Sequence, residues 1–412
     1  MRVDVVVLGA GIVGVSAALH CQARGRSVAL VDRRAPGEET SHGNAGLIER
    51  SSIVPYPFPR ELSRLLRYGL NRSTDGRYHW SFLHRIAPWL GRYWWHSAPD
   101  RLRSATRDLL PLIERSLDEH EALMAEAGIA GSLRRTGWIK AFRSPQSLDG
   151  ARAEAEALGS YGVRVEILDG SALRAREPAL SEHLVGGLHW HDPATVADPG
   201  AVVRAYADLF VRRGGRLLVG DARGLASERD GWSLRGEAGP VSARNVVVAL
   251  GPWSDEVFRP LGYRLPLAVK RGYHMHYAGR DGASLGRPVL DADGGVLLAP
   301  MSRGVRLTTG VEFAHRDAPP TPVQLDRSEP RAREIFPLGE RLDPTPWLGS
   351  RPCLPDMRPM IGPAPRHEGL WFAFGHNHHG FTLGPATGRL LAEMMTGETP
   401  FADPRPFRAD RF

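Results

Sequence analysis

The chain has 412 residues, 42% hydrophobic and 24% charged, the composition of a globular protein long enough for one large or two interleaved domains. That balance excludes a disordered chain and a polytopic membrane protein, and no apolar run reaches the roughly 18 residues needed to cross a bilayer. Formal net charge is +7 with Lys140 and Lys270 the only lysines, so the positive charge is nearly all arginine and admits nucleic acid, an acidic membrane surface, an anionic substrate or plain compositional bias.

From the N-terminus, the apolar run 4–8 predicts a buried parallel strand. Gly9, Gly11 and Gly14 follow, and small apolar residues from Ile12 to Ala18 predict a helix ending near Arg24, with Gly25 as its cap. Residues 28–31 predict a second parallel strand, and Asp32 stands at its carboxyl end, 23 residues after Gly9. Residues 55–103 differ in character: Arg60, Arg64, Arg67, Arg72, Arg77, Arg85 and Arg92 interleave with Tyr68, Tyr78, Trp80, Trp89, Tyr93, Trp94 and Trp95, which reads as an insertion. Leu109, Leu112, Ile113, Leu117 and Leu123 predict an amphipathic helix over 105–128. A strand at 137–142 and a helix near 151–158 come next. The helix over 198–213 is well marked, with Asp198 as N-cap, Pro199 in its first turn and Gly214-Gly215 beyond its end. Strands are expected at 216–220 and 245–251. Residues 262–345 lack helical periodicity and carry strand candidates at 273–277 and 305–312, which suggests an antiparallel sheet in a second domain. The tail 371–397 returns to strand, glycine-rich turn and a helix expected to start at Pro385.

Cys21 and Cys353 are too few for a disulfide framework or a four-cysteine zinc site. No charged-then-apolar leader precedes the first strand. A cytoplasmic protein is expected, with peripheral attachment at the inner face of the membrane left open.

The first three glycines have separate tasks: a tight turn, close approach of backbone to a pyrophosphate, and close helix–strand packing. The helix start adds free N–H groups and a positive dipole end, and Asp32 is placed to accept hydrogen bonds from a ribose. A dinucleotide cofactor is therefore expected. The polar loop 33–46 suits a second pyrophosphate face.

Here the sequence resembles a known family. The Gly9 turn, Thr40-Ser41 with Asn44 and Gly46, the stretch from Ala249 to Ser254, Gly349-Ser350-Arg351-Pro352 followed by Pro355-Asp356 and Pro359 to Gly362, and Gly375-His376 with Gly380, Thr382 and Gly384 resemble the FAD-dependent D-amino-acid oxidase superfamily. Within it the chain is most similar to D-amino-acid and hydroxyproline dehydrogenases and to glycine and sarcosine oxidases. The resemblance implies an α/β (overall α+β) protein: a discontinuous Rossmann-type FAD-binding domain over 1–55, 145–260 and 346–412, and an antiparallel-sheet substrate domain over 56–144 and 261–345 with a basic aromatic helical cover.

It further implies that FAD is held by Gly9, Gly11, Ile12, Val13, Gly14, Asp32, Arg33, Arg34, Thr40, Ser41, Asn44, Ala45, Gly46, Gly251, Trp253, Gly375, His379, Gly380, Phe381 and Thr382. Arg351 is the implied carboxylate ligand, since a planar guanidinium grips both oxygens and fixes which α-hydrogen faces the flavin. His274, His378, Tyr56 and Lys270 are candidate cavity residues, with His276 and Tyr273 as further possibilities. No metal ligand set is expected, because imidazoles on alternate strand positions also pack without metal. The implied reaction is oxidation of the Cα–N bond of a D-amino acid, D-proline and hydroxyproline types included, by hydride transfer to flavin N5, giving an imine and then a 2-oxo acid. The rivals are a glycine or sarcosine type oxidase acting on a secondary amine, and a non-catalytic flavin-binding protein. Oxygen, a quinone and a carrier stay open as electron acceptor. For residues 60–103 a helical cover, a membrane or partner-subunit contact and, remotely, nucleic acid are the readings.

Overall fold

The computed structural model describes residues 1–237 and 239–412, without the side chains of Arg64, Arg67 and Glu154, so those two arginines of the basic segment lie outside the described side chains. The first apolar run becomes strand Arg2–Leu8, flanked in parallel by Val28–Asp32 and Gly239–Val248. Arg216–Val219 extends the sheet past Val28–Asp32, and Leu370–Phe374 pairs in parallel with residues 246–248. Val5 to Leu8 and Val28 to Val31 are all buried, as the centre of a sheet covered on both faces requires.

Helices Ile12–Gln22, Pro199–Arg212 and Gly380–Thr396 cover this sheet. At Gly384 an added Cβ would lie 2.8 Å from Ile12 Cγ1, and at Gly388 2.6 Å from the backbone of Ser16. The Ile12–Gln22 and Gly380–Thr396 helices thus meet backbone to backbone, which brings both their N-termini to one place.

The second sheet has eleven strands among the described residues and is mostly antiparallel, with two parallel pairings. Its long strand Ala268–Gly279 pairs with Trp347–Cys353, setting Lys270 opposite Arg351. This sheet also holds Trp138–Phe142, Val165–Asp169 and Gly186–Trp190. Domain boundaries at 145 and 346 therefore do not follow the sheets: the strands of 165–190 and 347–353, expected with the cofactor domain, hydrogen-bond in the larger sheet. Conversely the Pro99–Ala127 helix, expected in the substrate domain, packs on Pro199–Arg212 and Gly380–Thr396. It begins earlier than its leucine repeat, with Pro99 in the first turn, and ends at left-handed Gly128. The basic segment folds as helices Leu62–Gly69 and Trp80–His96 joined through strand Gly76–Tyr78.

The tail helix starts at Gly380, so Pro385 lies inside it rather than at its start. A proline there deprives the Phe381 carbonyl of its helical donor. Buried His120 of the Pro99–Ala127 helix supplies one instead, its Nε2 lying 2.8 Å from that oxygen. The helix can therefore run on through the proline.

Candidate active site

One continuous cavity runs from Asp32 to Arg351. At its first end, Gly9 has φ +106, a conformation that favours glycine, and a Cβ at Gly14 would sit 1.8 Å from the Gly9 carbonyl oxygen. Gly14 thus serves helix–strand packing and is not part of the lining, whereas Gly9, Gly11, Ile12 and Val13 are. Ser41 Oγ accepts from the Ile12 N–H at 3.1 Å, which leaves other N–H groups of this first turn directed outward. Asp32 Oδ2 accepts from the Ala10 N–H at 2.6 Å and Oδ1 from the Arg34 N–H at 3.0 Å. Each oxygen keeps a lone pair for a ribose hydroxyl.

Arg33 lies over the Trp253 ring, 4.5 Å from its centroid, at the cavity wall. Arg34 does not: its exposed side chain pairs with Glu39, 3.1 Å away. Thr40, Asn44, Ala45 and Gly251 line the cavity. Gly46 and Gly375 do not; they turn the chain behind the wall, against the Val196 carbonyl and the Leu354 side chain. The Asn44 side chain shapes its own loop by accepting from the Gly46 N–H at 2.7 Å. Gly380, Phe381 and Thr382 present the start of the tail helix to the cavity, while the Thr382 hydroxyl accepts from the Glu49 N–H. His379 turns aside toward Glu49, at 3.6 Å, and the Tyr56 ring.

At the second end, Arg351 is partly shielded and its Nη1 is fully buried with no hydrogen-bond partner; no ion pair of the described residues includes it. Its guanidinium lies against Gly272, where a Cβ would come within 2.4 Å of Nη1. His378 and Tyr56 face each other with ring centroids 5.1 Å apart. Burial, then the charges of Arg351 and Lys270, hold the His378 imidazole well below its usual pKa, so it is neutral. His274 is likewise neutral, by burial first and Arg306 second; its Nδ1 is buried without a partner and its ring stacks on Trp347 at 4.7 Å. Lys270 is 3% exposed and sits in a small pocket beside the main one, its ammonium 3.9 Å from the centre of the Tyr93 ring.

Two residues considered from sequence have other duties. Tyr273 borders the cavity, but its hydroxyl donates to Glu312, 3.0 Å away in the buried Arg271–Glu312 pair. His276 accepts from Arg306 Nε at 3.0 Å and so must donate through Nδ1 to Asp343, 2.7 Å away. Arg306 then reaches the carbonyls of His42 and Asn44, tying the cofactor loop to the second sheet. Cys353 is fully buried against the Trp80–His96 helix, with its thiol pKa raised by burial.

Sequence reasoning did not name Trp347, Glu49, Asp221 or Asn377, which also line the cavity. Trp347 carried a signal: its ring occupies the space that side chains at Gly43 and Gly349 would fill. Away from the cavity, Glu166, His189 and His191 cluster within ligand distance. Arg176 donates to His189 Nδ1 at 2.8 Å, so Nε2 donates to the Thr136 carbonyl at 3.0 Å. Both ring nitrogens are thereby used within the protein.

The fold and this cavity define a class: a dinucleotide-binding protein whose cofactor cleft opens into a pocket walled by Arg351, with Lys270 in a smaller pocket beside it. The orphaned Arg351 donor, the two converging helix starts and Asp32 fit FAD with a carboxylate ligand beyond it. Residues 4–394 match the FAD-dependent oxidoreductase (DAO) family, and the chain belongs to that family as an FAD-dependent enzyme. It is 30% identical to the D-amino-acid oxidase of Bradyrhizobium diazoefficiens, over 99% of this chain and 98% of that one. It is 29% identical to a D-amino acid dehydrogenase of Xanthobacter autotrophicus, over 99% of both. Of solved structures, glycine oxidase from Geobacillus kaustophilus superposes with a TM-score of 0.77 at 23% identity, covering 100% of this chain and 99% of that one. L-proline dehydrogenase from P. horikoshii gives 0.73 at 18%, covering 100% and 98%; these two likenesses speak for the fold. Among the described residues no helix is long and apolar enough to cross a membrane.

Proposed function

We propose that this enzyme oxidises the Cα–N bond of an amino acid, with D-amino acids as its substrate class. The single observation that carries the reading is the buried, unpartnered Nη1 of Arg351 in the wall of the cavity. A guanidinium without a carboxylate is costly to bury, and an α-carboxylate offers the bidentate partner it lacks. The names of the similar oxidase and dehydrogenase support the amino-acid class.

Gly9 to Val13, Asp32, Arg33 and the Gly380–Thr382 turn would hold FAD, which when bound accepts a hydride from the substrate α-carbon. Arg351 fixes the carboxylate and thereby which hydrogen is presented. The positive field of Arg351 and Lys270 disfavours an ammonium group in the pocket, so the substrate amine binds neutral, with its lone pair able to drive hydride loss. His378, neutral by burial first and by these same charges second, accepts a hydrogen bond from that amine and takes up no proton. Tyr56 and Trp347 wall the pocket. Loss of hydride from the Cα of the neutral amine leaves the protonated imine, and water converts it to a 2-oxo acid and ammonium.

Anaerobic mixing of the yellow holoenzyme with matched D- and L-amino acids tests this. Flavin bleaching by the D-series, with a 2-oxo acid formed in equal amount, is expected. Bleaching by L-enantiomers alone would refute the stereochemical part, and no bleaching by any amino acid would refute the reaction.

A further inference from the structure

The basic aromatic segment is the part of the sequence that the proposed reaction leaves unused. Residues 56–103 hold nine arginines and three acids, Glu61, Asp75 and Asp100, so this stretch carries net +6 of the chain's +7. In the Leu62–Gly69 helix and its cap, Leu62, Leu66 and Leu70 recur every four residues and are 71%, 63% and 69% exposed. An amphipathic helix normally turns such a stripe inward. Trp80, Trp94 and Trp95 are exposed as well.

These residues belong to one layer. Arg60 Nη1 donates to the Trp94 carbonyl at 2.7 Å, beside the start of the leucine helix. At its other end the Tyr78 hydroxyl donates to the Gly69 carbonyl at 2.8 Å, and the Tyr78 ring meets Trp80 at 4.9 Å. The helix therefore runs antiparallel to Trp80–His96, with a leucine stripe about 12 Å long beside tryptophans about 21 Å apart. The inner side of the layer is already used: Ile86, Trp89 and Tyr93 are buried against Cys353 and Met357.

We propose that the outer face of this layer docks on an anionic lipid bilayer. Leu62, Leu66 and Leu70 enter the headgroup boundary, the three indoles sit at its level, and the exposed Arg72, Arg85 and Arg92 meet lipid phosphates. The charge argues against a second copy of the chain, since a symmetric contact would set +6 against +6. The Trp80–His96 helix joins this face to the site, because Tyr93 also touches Lys270 and donates to the Tyr56 carbonyl. The inference rests on the surface and not on the proposed reaction.

Flotation of the holoenzyme with vesicles tests it. Binding at low salt is expected to phosphatidylcholine vesicles containing about a third phosphatidylglycerol, and not to phosphatidylcholine alone. Salt near 0.5 M should release it. Leu62→Ser/Leu66→Ser/Leu70→Ser should weaken partitioning about 30-fold or more. Arg72→Gln/Arg85→Gln/Arg92→Gln should weaken it about 100-fold; these three are exposed and form no ion pair among the described residues. Both variants should keep the wild-type melting temperature and rate of flavin reduction by a soluble substrate. Failure of the wild type to float with anionic vesicles, or flotation unchanged in the leucine variant, would overturn the proposal. So would a salt-resistant dimer that the leucine changes dissociate, which would make this face a protein interface.

Discussion

Replacing His120 by leucine removes the donor that serves the Phe381 carbonyl, in a helix whose own donor for that oxygen is missing because residue 385 is proline. His120 is fully buried, its Nδ1 lies 3.1 Å from the Tyr206 hydroxyl, and burial pushes its pKa down to about 4, so the ring is neutral. The carbonyl can only accept, so Nε2 carries the hydrogen. His120→Leu leaves that carbonyl buried without a partner and loosens Tyr206, which keeps only the His120 backbone oxygen, 3.1 Å away. One orphaned group costs about 1–3 kcal/mol and a weakened second bond about 1 more, giving about 2–4 kcal/mol in all. At about 2.1 cal/mol/K per residue, the 412-residue chain has an unfolding entropy near 0.9 kcal/mol/K, so the melting temperature should fall by about 2–5 °C. The decisive assay is a double-mutant cycle with Pro385→Ala, which restores the backbone N–H opposite Phe381. The second change should recover about 1–3 kcal/mol in the His120→Leu background while doing little alone. Because this helix start lines the cavity, FAD affinity should fall and recover in step. Strict additivity of the two substitutions in unfolding free energy would refute the reasoning.

Asp32→Asn should weaken FAD binding to the apoprotein about 10- to 100-fold, since it disturbs the 2.6 Å bond from the Ala10 N–H and the acceptor for the ribose; an unchanged dissociation constant by fluorescence titration would count against it. Lys270→Met removes one of the two cations that disfavour an ammonium, so the rising limb of kcat against pH, which reports the bound amine, should move about one unit higher; an unmoved limb would make Lys270 a packing residue only. Stability should fall in mild acid. His120 and His376 are buried, with pKa values pushed down to about 4 and about 3, whereas unfolded imidazoles take up protons below about 6.5. Their contribution is complete above about pH 6.5 and declines as pH drops, by about 1.4 kcal/mol per unit for each ring, or about 4 kcal/mol together at pH 5. Urea unfolding at pH 7 and pH 5 would show this, and equal midpoints would contradict it.

The cofactor end was legible in the sequence because its signals are local. A strand, three glycines and an acid lie within thirty residues and act through one turn, and the Asp198-Pro199 cap likewise announced its helix. What escaped depended on partners distant in the chain. Val165–Asp169 and Gly186–Trp190 carried no strand expectation, and nothing in a short segment tells which sheet will pair with it; the two pair with each other in the larger sheet. Pro385 read as a helix start because the donor that tolerates it sits 265 residues away at His120. Tyr273 and His274 were adjacent candidates and both border the cavity, yet the Tyr273 hydroxyl is spent on the Arg271–Glu312 pair. His276 looked available until Arg306 and Asp343 took both its nitrogens.

The most direct measurement compares wild type and Arg351→Met with two substrates, a D-amino acid and the amine it would give on losing its carboxylate. If Arg351 grips the carboxylate, the wild type should prefer the amino acid by about 10²- to 10⁴-fold in kcat/KM, the worth of about 3–5 kcal/mol from two charge-assisted hydrogen bonds. Arg351→Met should abolish that preference while leaving FAD content and the rate with the simple amine nearly unchanged. A variant that keeps the preference for the amino acid would contradict the assignment of Arg351 and the account of the site built on it.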